Sequence, residues 1–192
     1  MKVSLFIVSL AGVMATHALL ARNAIPNPAT EASVSACFVP AQDCVDQVVA
    51  GIASAKTSIH VQAYGFTSPP ILQALVQAKQ RGVEVMAILD KTNVAKRSRY
   101  SGATFVINGG IPVWIDSTVA IAHNKIVIID NHLVIGGSYN YTPSAEKRNA
   151  ENVTFIESPV NAALFEQNWE SRKAVSTPYA ASIPDNAPPA PE

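Results

Sequence analysis

The sequence predicts a single α/β domain whose mixed, largely parallel β-sheet is flanked by helices on both faces. Some segments alternate apolar and polar residues, which is typical of strands, and others repeat apolar residues every three or four positions, which is typical of helices. Successive strand, helix and strand segments of this length imply parallel neighbours in one sheet. The chain has 192 residues, of which 48% are hydrophobic, and this is enough for one buried core.

The first half of the chain carries two of these strand and helix units. The predicted elements are a strand at 37–39, a helix at 43–54, a strand at 57–66, a helix at 69–81 and a strand at 83–89. Val45, Val48 and Ile52 give the first helix an apolar face, and a pair of prolines marks the start of the second. His60 and Gln62 alternate away from the apolar face of their strand, so we expect them at solvent or at a dimer contact.

The second half of the chain continues with shorter segments. We expect a polar helix or loop at 93–102, strands at 111–115, 123–129, 133–135 and 153–156, and a closing helix at 160–173. A turn at Asp130, Asn131 and His132 joins the strands at 123–129 and 133–135. These segments complete the same sheet, and no second domain is predicted.

The N-terminus is predicted to be a secretory signal peptide. Lys2 gives a positive start, residues 3–15 are almost wholly apolar, and small residues follow at Ala18, Ala21 and Ala24. An uncleaved membrane anchor is the alternative. The predicted organisation is a signal peptide at 1–22, a linker at 23–34, one folded domain at 35–175 and a disordered, Pro-rich tail at 176–192. We therefore expect a periplasmic or secreted protein, with no stable membrane insertion after the signal is cleaved.

Cys37 and Cys44 are the only cysteines of the chain. Their spacing lets the end of a strand fold back onto the start of the next helix, and an oxidising compartment would let them pair. Two buried free thiols are the alternative. No other Cys or His lies at a zinc-like spacing, so we expect a structural disulfide and no metal.

The charge balance excludes several classes of protein. The 14 Lys and Arg residues match the 14 Asp and Glu residues, so the chain does not grip nucleic acid by bulk basicity. An ordinary apolar content with only 15% charged residues excludes a disordered chain. A polyanion would have to be held by a local cluster, and the candidate residues are Lys91, Lys96, Arg97 and Arg99, which follow a strand. A solvated face is the alternative for such a run.

The most specific signal lies in the strand at 123–129 and in the residues after it. The pattern HxK(x)4D(x)6GSxN is formed by His123, Lys125, Asp130, Gly137, Ser138 and Asn140. Residues two apart on a strand point to the same face, so His123 and Lys125 should share a face while Asp130 lies at the strand end. The fixed offsets of all six residues make a chance match negligible.

These residue types suit attack on a phosphodiester. Imidazole has a pKa near neutrality and can act as a nucleophile. Lys125 supplies positive charge beside the non-bridging oxygens, where negative charge accumulates in the transition state. Asn140 and the Ser138 hydroxyl can donate further hydrogen bonds, whereas Asp130 is interpreted as a structural acceptor and Gly137 as a turn residue. A core histidine and a buried ion pair are the alternatives for the first two motif residues.

The motif resembles that of the phospholipase D superfamily. Its single copy, the short chain and the segments TSIHVQAYGFTSPPILQAL, AKQRGVEV and GIPVWIDS are similar to the small bacterial nuclease branch, over roughly residues 37–169. Gly65 departs from that pattern, in which Ser is expected. The resemblance implies the phospholipase D/nuclease fold, with Glu151 as the carboxylate that orients the His123 ring.

One copy of the motif is half of an active site. In-line displacement with a separate proton donor needs a neutral imidazole to attack and a protonated imidazole to release the leaving oxygen. Larger members of the superfamily carry two motifs in one chain, whereas this chain has a single HxK. We therefore expect a homodimer with one composite site and a covalent phosphohistidine intermediate that water resolves.

The predicted function is an exported, metal-independent phosphodiesterase without a cofactor, acting as an endonuclease on DNA or RNA with little sequence preference. The acidic residues are scattered, without a paired-acid motif, so no metal requirement is expected. A phospholipase D-type lipid phosphodiesterase is the alternative, and it would need an apolar rim beside the same site. A non-catalytic nucleic-acid or envelope-binding module is a further alternative, which the intact motif disfavours.

Overall fold

The computed structural model describes residues 32–95 and 101–180. The predicted signal peptide, most of the linker, the basic residues Lys96, Arg97 and Arg99, and the predicted tail from residue 181 lie outside the described residues. Within the described part the strands are β1 (Ser33–Val39), β2 (Ser58–Ala63), β3 (Glu84–Asp90), β4 (Val113–Asp116), β5 (Lys125–Ile129), β6 (Leu133–Gly137), β7 (Glu151–Glu157) and β8 (Thr177–Tyr179). The helices there are α1 (Cys44–Ser54), α2 (Pro69–Gln80), α3 (Thr92–Ala95), α4 (Gly102–Asn108), α5 (Pro143–Arg148) and α6 (Pro159–Val175).

The eight strands form one sheet in the order β1-β7-β6-β5-β2-β3-β4-β8. The pairs β2–β3 and β3–β4 are parallel, and the other five neighbouring pairs are antiparallel. The predicted α/β fold with a mixed sheet is confirmed, but the prediction that the sheet is largely parallel is wrong. Parallel neighbours need helical crossovers, which connect β2, β3 and β4, whereas β5 and β6 are joined by a tight turn that only antiparallel strands allow.

Helices cover both faces of the sheet, as predicted. On one face α1, α2, α4 and α5 bury a large apolar core. On the opposite face Trp169 of α6 packs with Ile88 and Ile128 of the sheet, and its indole N–H donates a hydrogen bond to the carbonyl oxygen of Val61 at 3.0 Å. Within the described ranges, none of the helices is both long enough and apolar enough to cross a membrane.

His60 and Gln62 of β2 are buried on the α6 face of the sheet. The His60 ring stacks on Trp169 with 4.2 Å between ring centroids, and His60 Nδ1 lies 2.7 Å from Glu166 Oε2. The expectation that these two side chains meet solvent or a dimer contact is therefore wrong. Their alternation with the apolar residues of β2 is correct, but helices cover both faces of this central strand.

The sheet extends beyond the predicted domain at both ends. β1 starts at Ser33, within the predicted linker, and pairs with β7. Thr177–Tyr179, which were predicted to belong to the disordered tail, form β8 and pair with β4. Both predicted boundaries are wrong, because edge strands tolerate the polar residues and the proline that made these segments resemble linkers. Near the end of α6, Arg172 forms an ion pair with Asp116 at the end of β4, in which Nη2 lies 2.6 Å from Oδ2.

A disulfide joins Cys37 in β1 to Cys44, the first residue of α1. Both side chains are fully buried. The bond ties the edge strand to the helix that follows it, so the structure contains the disulfide that the sequence favours rather than two free thiols.

A tight turn at Asp130 and Asn131 connects β5 to β6. Both residues have positive φ, 52° and 51°, and the His132 amide donates a hydrogen bond to the Ile129 carbonyl oxygen at 2.9 Å. Two central residues with positive φ define a type I′ turn, which matches the twist of an antiparallel hairpin. Asp and Asn tolerate this conformation better than most residues.

The Asp130 carboxylate also holds the start of β2. It accepts hydrogen bonds from the main-chain N–H groups of Lys56, Thr57 and Ser58 at 2.8, 2.7 and 2.9 Å. The Thr57 hydroxyl donates a fourth, at 2.8 Å. Burial acts to raise the pKa of Asp130, but these hydrogen bonds outweigh it and hold the pKa below its ordinary value. The third residue of the motif thus joins two segments that are far apart in sequence.

We expect Asp130→Asn to lower the free energy of unfolding by about 2 kcal/mol at pH 7, because an amide nitrogen would face main-chain N–H donors. A carboxylate whose pKa is lowered by folding stabilises the protein above its unfolded pKa and loses this effect as the pH falls through its folded pKa. The deficit of the variant should therefore shrink in acid. Urea unfolding between pH 7 and pH 3 measures the free energy of unfolding of wild type and variant, and Glu157→Gln, at an exposed position, is the control. A difference between wild type and Asp130→Asn that does not change with pH would contradict this account.

Candidate active site

Apart from Asp130, which lies in the turn at the far end of β5, the motif residues lie at one end of the sheet. β5 runs antiparallel to β2 and begins with Lys125, which pairs with Ala63 at the end of β2. The segment after β2 meets the loop after β6 at this end, where Phe66 and Tyr141 form a bridge. β7 begins beside the end of β6. The topology therefore gathers the residues after β2 and β6, the residues before β5 and the start of β7.

Lys125 is a buried cation at the floor of this site. Lys125 is only 6% exposed. Its Nζ donates a hydrogen bond to the main-chain oxygen of His123 at 2.7 Å. Nζ also lies 5.3 Å from the ring centroid of Tyr64, which favours the charged form. Burial lowers the pKa of Lys125, and the negative charge of Glu151 opposes this effect. The ammonium is thus poorly hydrated.

His123 is exposed and lies two residues before β5 begins. The prediction of a strand over 123–129 is therefore wrong at its start, and the two side chains do not share a strand face. The two residues are instead connected by the hydrogen bond from the Lys125 ammonium to the His123 carbonyl oxygen. The imidazole ring lies against Tyr64, with 4.7 Å between ring centroids. Tyr64 is in turn fixed by its amide, which donates to the Asn124 carbonyl at 3.0 Å.

The loop that carries His123 is held by carboxylates at the ends of β3 and β4. Buried Asp90 accepts a hydrogen bond from the amide of Ala122, the neighbour of His123, at 2.8 Å. Burial acts to raise the pKa of Asp90, but hydrogen bonds from Thr92 and Ala122 outweigh it and lower the pKa. Asp116 accepts in the same way from the amide of Thr118 at 3.1 Å. These contacts fix the main chain on which the imidazole is mounted.

Sequence reasoning missed Tyr64 and Asp90. A carboxylate at the end of the apolar run VMAIL was an available signal for Asp90, because sites in α/β sheets collect at strand ends. Tyr64 had no comparable signal, since one aromatic residue after a strand is ordinary.

Ser138 and Glu151 form a hydrogen-bonded pair on the side of the site nearest β7. The Ser138 hydroxyl donates to Glu151 Oε2 at 2.5 Å, and the Asn149 amide group donates to Glu151 Oε1 at 2.7 Å. The Asn152 amide donates to Ser138 Oγ at 3.1 Å. Both carboxylate oxygens of Glu151 are therefore engaged, and the expected hydrogen bond to the His123 ring is not formed. In this arrangement the Ser138 proton points to Glu151 rather than to a substrate.

Asn140 lies beside the position where the chain departs from the family pattern. Its Oδ1 is buried and has no hydrogen-bond partner. A Cβ built on Gly65 would lie 3.3 Å from Asn140 Oδ1 and 2.8 Å from Thr142 Cγ2, so Gly65 leaves room for these side chains. Gly65, where the chain differs from the family pattern, therefore lies next to the motif residue Asn140 in space, although it lies outside the motif in sequence.

Gly137 is required by its conformation and by its surroundings. Its φ is +138°, and a Cβ at this position would collide with the carbonyl group of Asn152. The glycine thus allows the end of β6 to turn into the loop that carries Ser138 and Asn140.

Of the predicted basic cluster, Lys91 is the residue that the structure describes. Its ammonium donates a hydrogen bond to the Val119 carbonyl oxygen at 3.0 Å, in the loop before His123. Lys91 therefore supports this loop and lies at the site end of the sheet. Lys96, Arg97 and Arg99 lie outside the described residues. No cluster of three His, Cys, Asp or Glu side chains fit to hold a metal ion occurs in the two described ranges.

The arrangement combines an exposed imidazole with a buried ammonium, which suits nucleophilic attack on a phosphodiester. Residues 32–95 and 101–180 place a single imidazole at this end of the sheet. His60 lies under α6, and His132 lies in the turn at the far end of β5. The described part of one chain thus provides one imidazole at the site, together with the Lys125 ammonium.

Three comparisons with known proteins agree with this geometry. The family model described as "Cardiolipin synthase, PLD-like domain" matches residues 48–173. A protein named phospholipase D from Rickettsia prowazekii is 44% identical over 147 residues, which are 77% of this chain and 71% of that protein. The mitochondrial cardiolipin hydrolase of Mus musculus is 29% identical over 159 residues, which are 82% of this chain and 70% of that protein. The crystal structure of Nuc, a phospholipase D family member from Salmonella typhimurium, has a TM-score of 0.72 and 39% identity, covering 78% of this chain and 99% of Nuc.

We expect Tyr64→Leu to lower the pKa of Lys125, because the aromatic face that favours the ammonium is replaced by a smaller aliphatic side chain. Tyr64→Phe retains the ring and should leave this pKa unchanged. An NMR titration of the Lys125 Cε signal measures both variants without requiring catalysis. A fall of equal size in Tyr64→Phe would show that the hydroxyl group, and not the ring, stabilises the charge.

Proposed function

This chain belongs to the phospholipase D family and is a phosphodiesterase of that family, and from this premise we propose that it is an exported nuclease that cleaves DNA or RNA. The observation that carries the proposal is the overlap with Nuc, in which 99% of the Nuc chain is covered at 39% identity. Nearly all of the Nuc chain therefore corresponds to the one folded domain of this chain. The resemblance of the segments around β2, β3 and β4 to the nuclease branch points the same way.

The proposed reaction begins with His123. An imidazole nitrogen forms a bond to phosphorus while the bond from phosphorus to the leaving alkoxide oxygen breaks. The Lys125 ammonium and the Asn140 carboxamide stabilise the charge that builds on the non-bridging oxygens. A second, protonated imidazole gives its proton to the leaving oxygen. Water then attacks the phosphohistidine, the second imidazole takes the proton of that water, and the bond from phosphorus to His123 breaks.

The second imidazole is proposed to be the partner subunit's His123. The described part of one chain holds one imidazole at the site, and the exposure of that ring leaves it open to a partner. A twofold axis near His123 would give a homodimer with one composite site. Each Glu151 oxygen accepts one hydrogen bond in the single chain, from Ser138 or Asn149, and retains a lone pair that could accept from an imidazole.

Independence from metal ions and export complete the proposal. The charge that a metal ion would supply to a phosphate is supplied in this scheme by the two Lys125 ammonium groups of the dimer. Export is supported by the signal-like sequence of residues 1–22 and by the disulfide between Cys37 and Cys44, which persists in oxidising compartments. The periplasm and the extracellular medium both satisfy this condition.

A lipid phosphodiesterase is the second candidate, and one feature of the site favours it. Val119 and Ile121 are 38% and 56% exposed in the loop that carries His123. Exposed apolar side chains beside a site are expected where an enzyme works at a membrane surface. The names of the Rickettsia and mouse relatives also denote enzymes of lipids.

The two candidates are separated by incubating the purified protein with plasmid DNA, RNA and labelled phospholipid in excess EDTA. We expect cleavage of nucleic acid that survives EDTA and falls by roughly a thousandfold or more in His123→Ala, because the nucleophile is removed. His132→Ala removes a histidine outside the site and serves as the matched control. Turnover of phospholipid without cleavage of nucleic acid would replace the proposal by the second candidate.

The composite site is tested by mixing wild type with His123→Ala in equal amounts under conditions that let subunits exchange. If each site needs both imidazoles, only wild-type dimers are active, and about a quarter of the activity of undiluted wild type remains. Independent protomers would retain about half. A mixture with His132→Ala should keep full activity, and sedimentation of each sample verifies the oligomeric state.

A further inference from the structure

A groove lies beside the candidate active site, between α2 and α4. Its volume is about 400 Å³, and its walls include Thr67, Leu72, Gln73, Phe105 and Asn108. Thr67 follows Tyr64 by three residues, and three residues of extended chain span at most about 11 Å. The Thr67 amide also donates to the carbonyl oxygen of Tyr141, the neighbour of Asn140, at 2.7 Å. One wall of the groove is thus attached to the site by a short, hydrogen-bonded segment.

The chemistry of the groove fits a neutral, flat ligand. The described residues that line it carry no charged side chain. Leu72 provides an apolar surface, and Phe105 is 45% exposed although it is aromatic. The carboxamides of Gln73 and Asn108 stand at the same groove and can both donate and accept hydrogen bonds. An acyl chain would leave these amide groups unpaired, whereas the edge of a heterocyclic base would satisfy them.

The groove is a poor site for a phosphate, even though it includes the start of a helix. Pro69 and Pro70 begin α2 and have no N–H group to offer an anion. The preceding amides, of Thr67 and Ser68, both donate to the carbonyl oxygen of Tyr141, at 2.7 and 2.8 Å. At the start of α2, the donors that usually bind a phosphate are therefore missing or already used.

We propose that this groove binds an unpaired nucleobase of the substrate, which stacks on Phe105 while the carboxamides of Gln73 and Asn108 contact its edge. The inference rests on the proposed nuclease function and narrows the substrate to single-stranded nucleic acid. Bases within a duplex are covered on both faces by their neighbours, so a base reaches an aromatic side chain only when it leaves the stack. Because amide groups both donate and accept, the groove takes bases without strong sequence preference.

The proposal is tested by binding, in the His123→Ala background to prevent cleavage. One ligand is a labelled single strand of about ten thymidine nucleotides, and the other is an abasic strand of the same length with the same phosphates. We expect Phe105→Ala to raise the Kd of the thymidine strand by about five- to 100-fold and to leave that of the abasic strand unchanged. Phe105→Tyr should bind like the parent. Leu164→Ala, another exposed apolar residue, is the matched control, and all titrations use one salt concentration.

Each outcome has a distinct meaning. Equal affinities of Phe105→Ala and its parent for the thymidine strand would overturn the groove proposal, as would equal losses for both strands. Circular dichroism and thermal melting verify that Phe105→Ala is folded. Wild-type protein that cleaves nucleic acid while Phe105→Ala binds normally would overturn the groove alone. Wild-type protein that neither binds nor cleaves nucleic acid would overturn the proposed function as well.

Discussion

The antiparallel pairing of β2 with β5 is the contact on which the rest of the structure depends. It joins the parallel half of the sheet, β2, β3 and β4, to the antiparallel half, and it places Lys125 opposite Ala63. A slip of one residue would move every side chain of β5 to the other face. The register is fixed at one end by the hydrogen bonds of Asp130 to the segment before β2, and at the other by the Tyr64 amide on Asn124. The same pairing brings the Tyr64 ring against His123 and Lys125.

Charge at the site is arranged around a cation that the fold has largely removed from water. Burial alone would favour neutral Lys125, and the Tyr64 face, the His123 carbonyl and the negative charge of Glu151 favour its ammonium. An incoming phosphodiester adds negative charge at short range in a medium of low effective dielectric, where attraction is stronger than in water. The exposed imidazole lies on a loop held by two carboxylates, so attack requires little reorganisation of the main chain.

The face of the sheet that α6 covers holds a second buried polar group, His60, which contributes to stability. His60 is enclosed between Trp169, Glu166 and the sheet, and its Nε2 lies 3.5 Å from Glu84 Oε1. Glu166 Oε1 and His60 Nε2 are both buried without a hydrogen bond. α6 is thus attached by aromatic stacking, by the hydrogen bond from Trp169 to Val61 and by one ion pair near its end. The candidate catalytic groups therefore lie at the end of the sheet and not under α6.

The sequence by itself determined the fold class, most of the strands and the motif, because hydrophobic period and fixed residue spacing are local properties of the chain. Only the tertiary structure decided the strand directions, the start of the edge strand β1, the edge strand β8, the short helix α5 and the partners of each polar side chain. Glu151 is the clearest example: the family resemblance implies that it orients the His123 ring, yet in the structure its two oxygens accept hydrogen bonds from Ser138 and Asn149. For Tyr64 and Asp90, too, only the contacts in the tertiary structure showed that they belong to the site. Hydrogen bonds and ring contacts join residues that are far apart in sequence and that the topology brings together. A pattern of residue types along the chain carries no information on which of these residues are close in space.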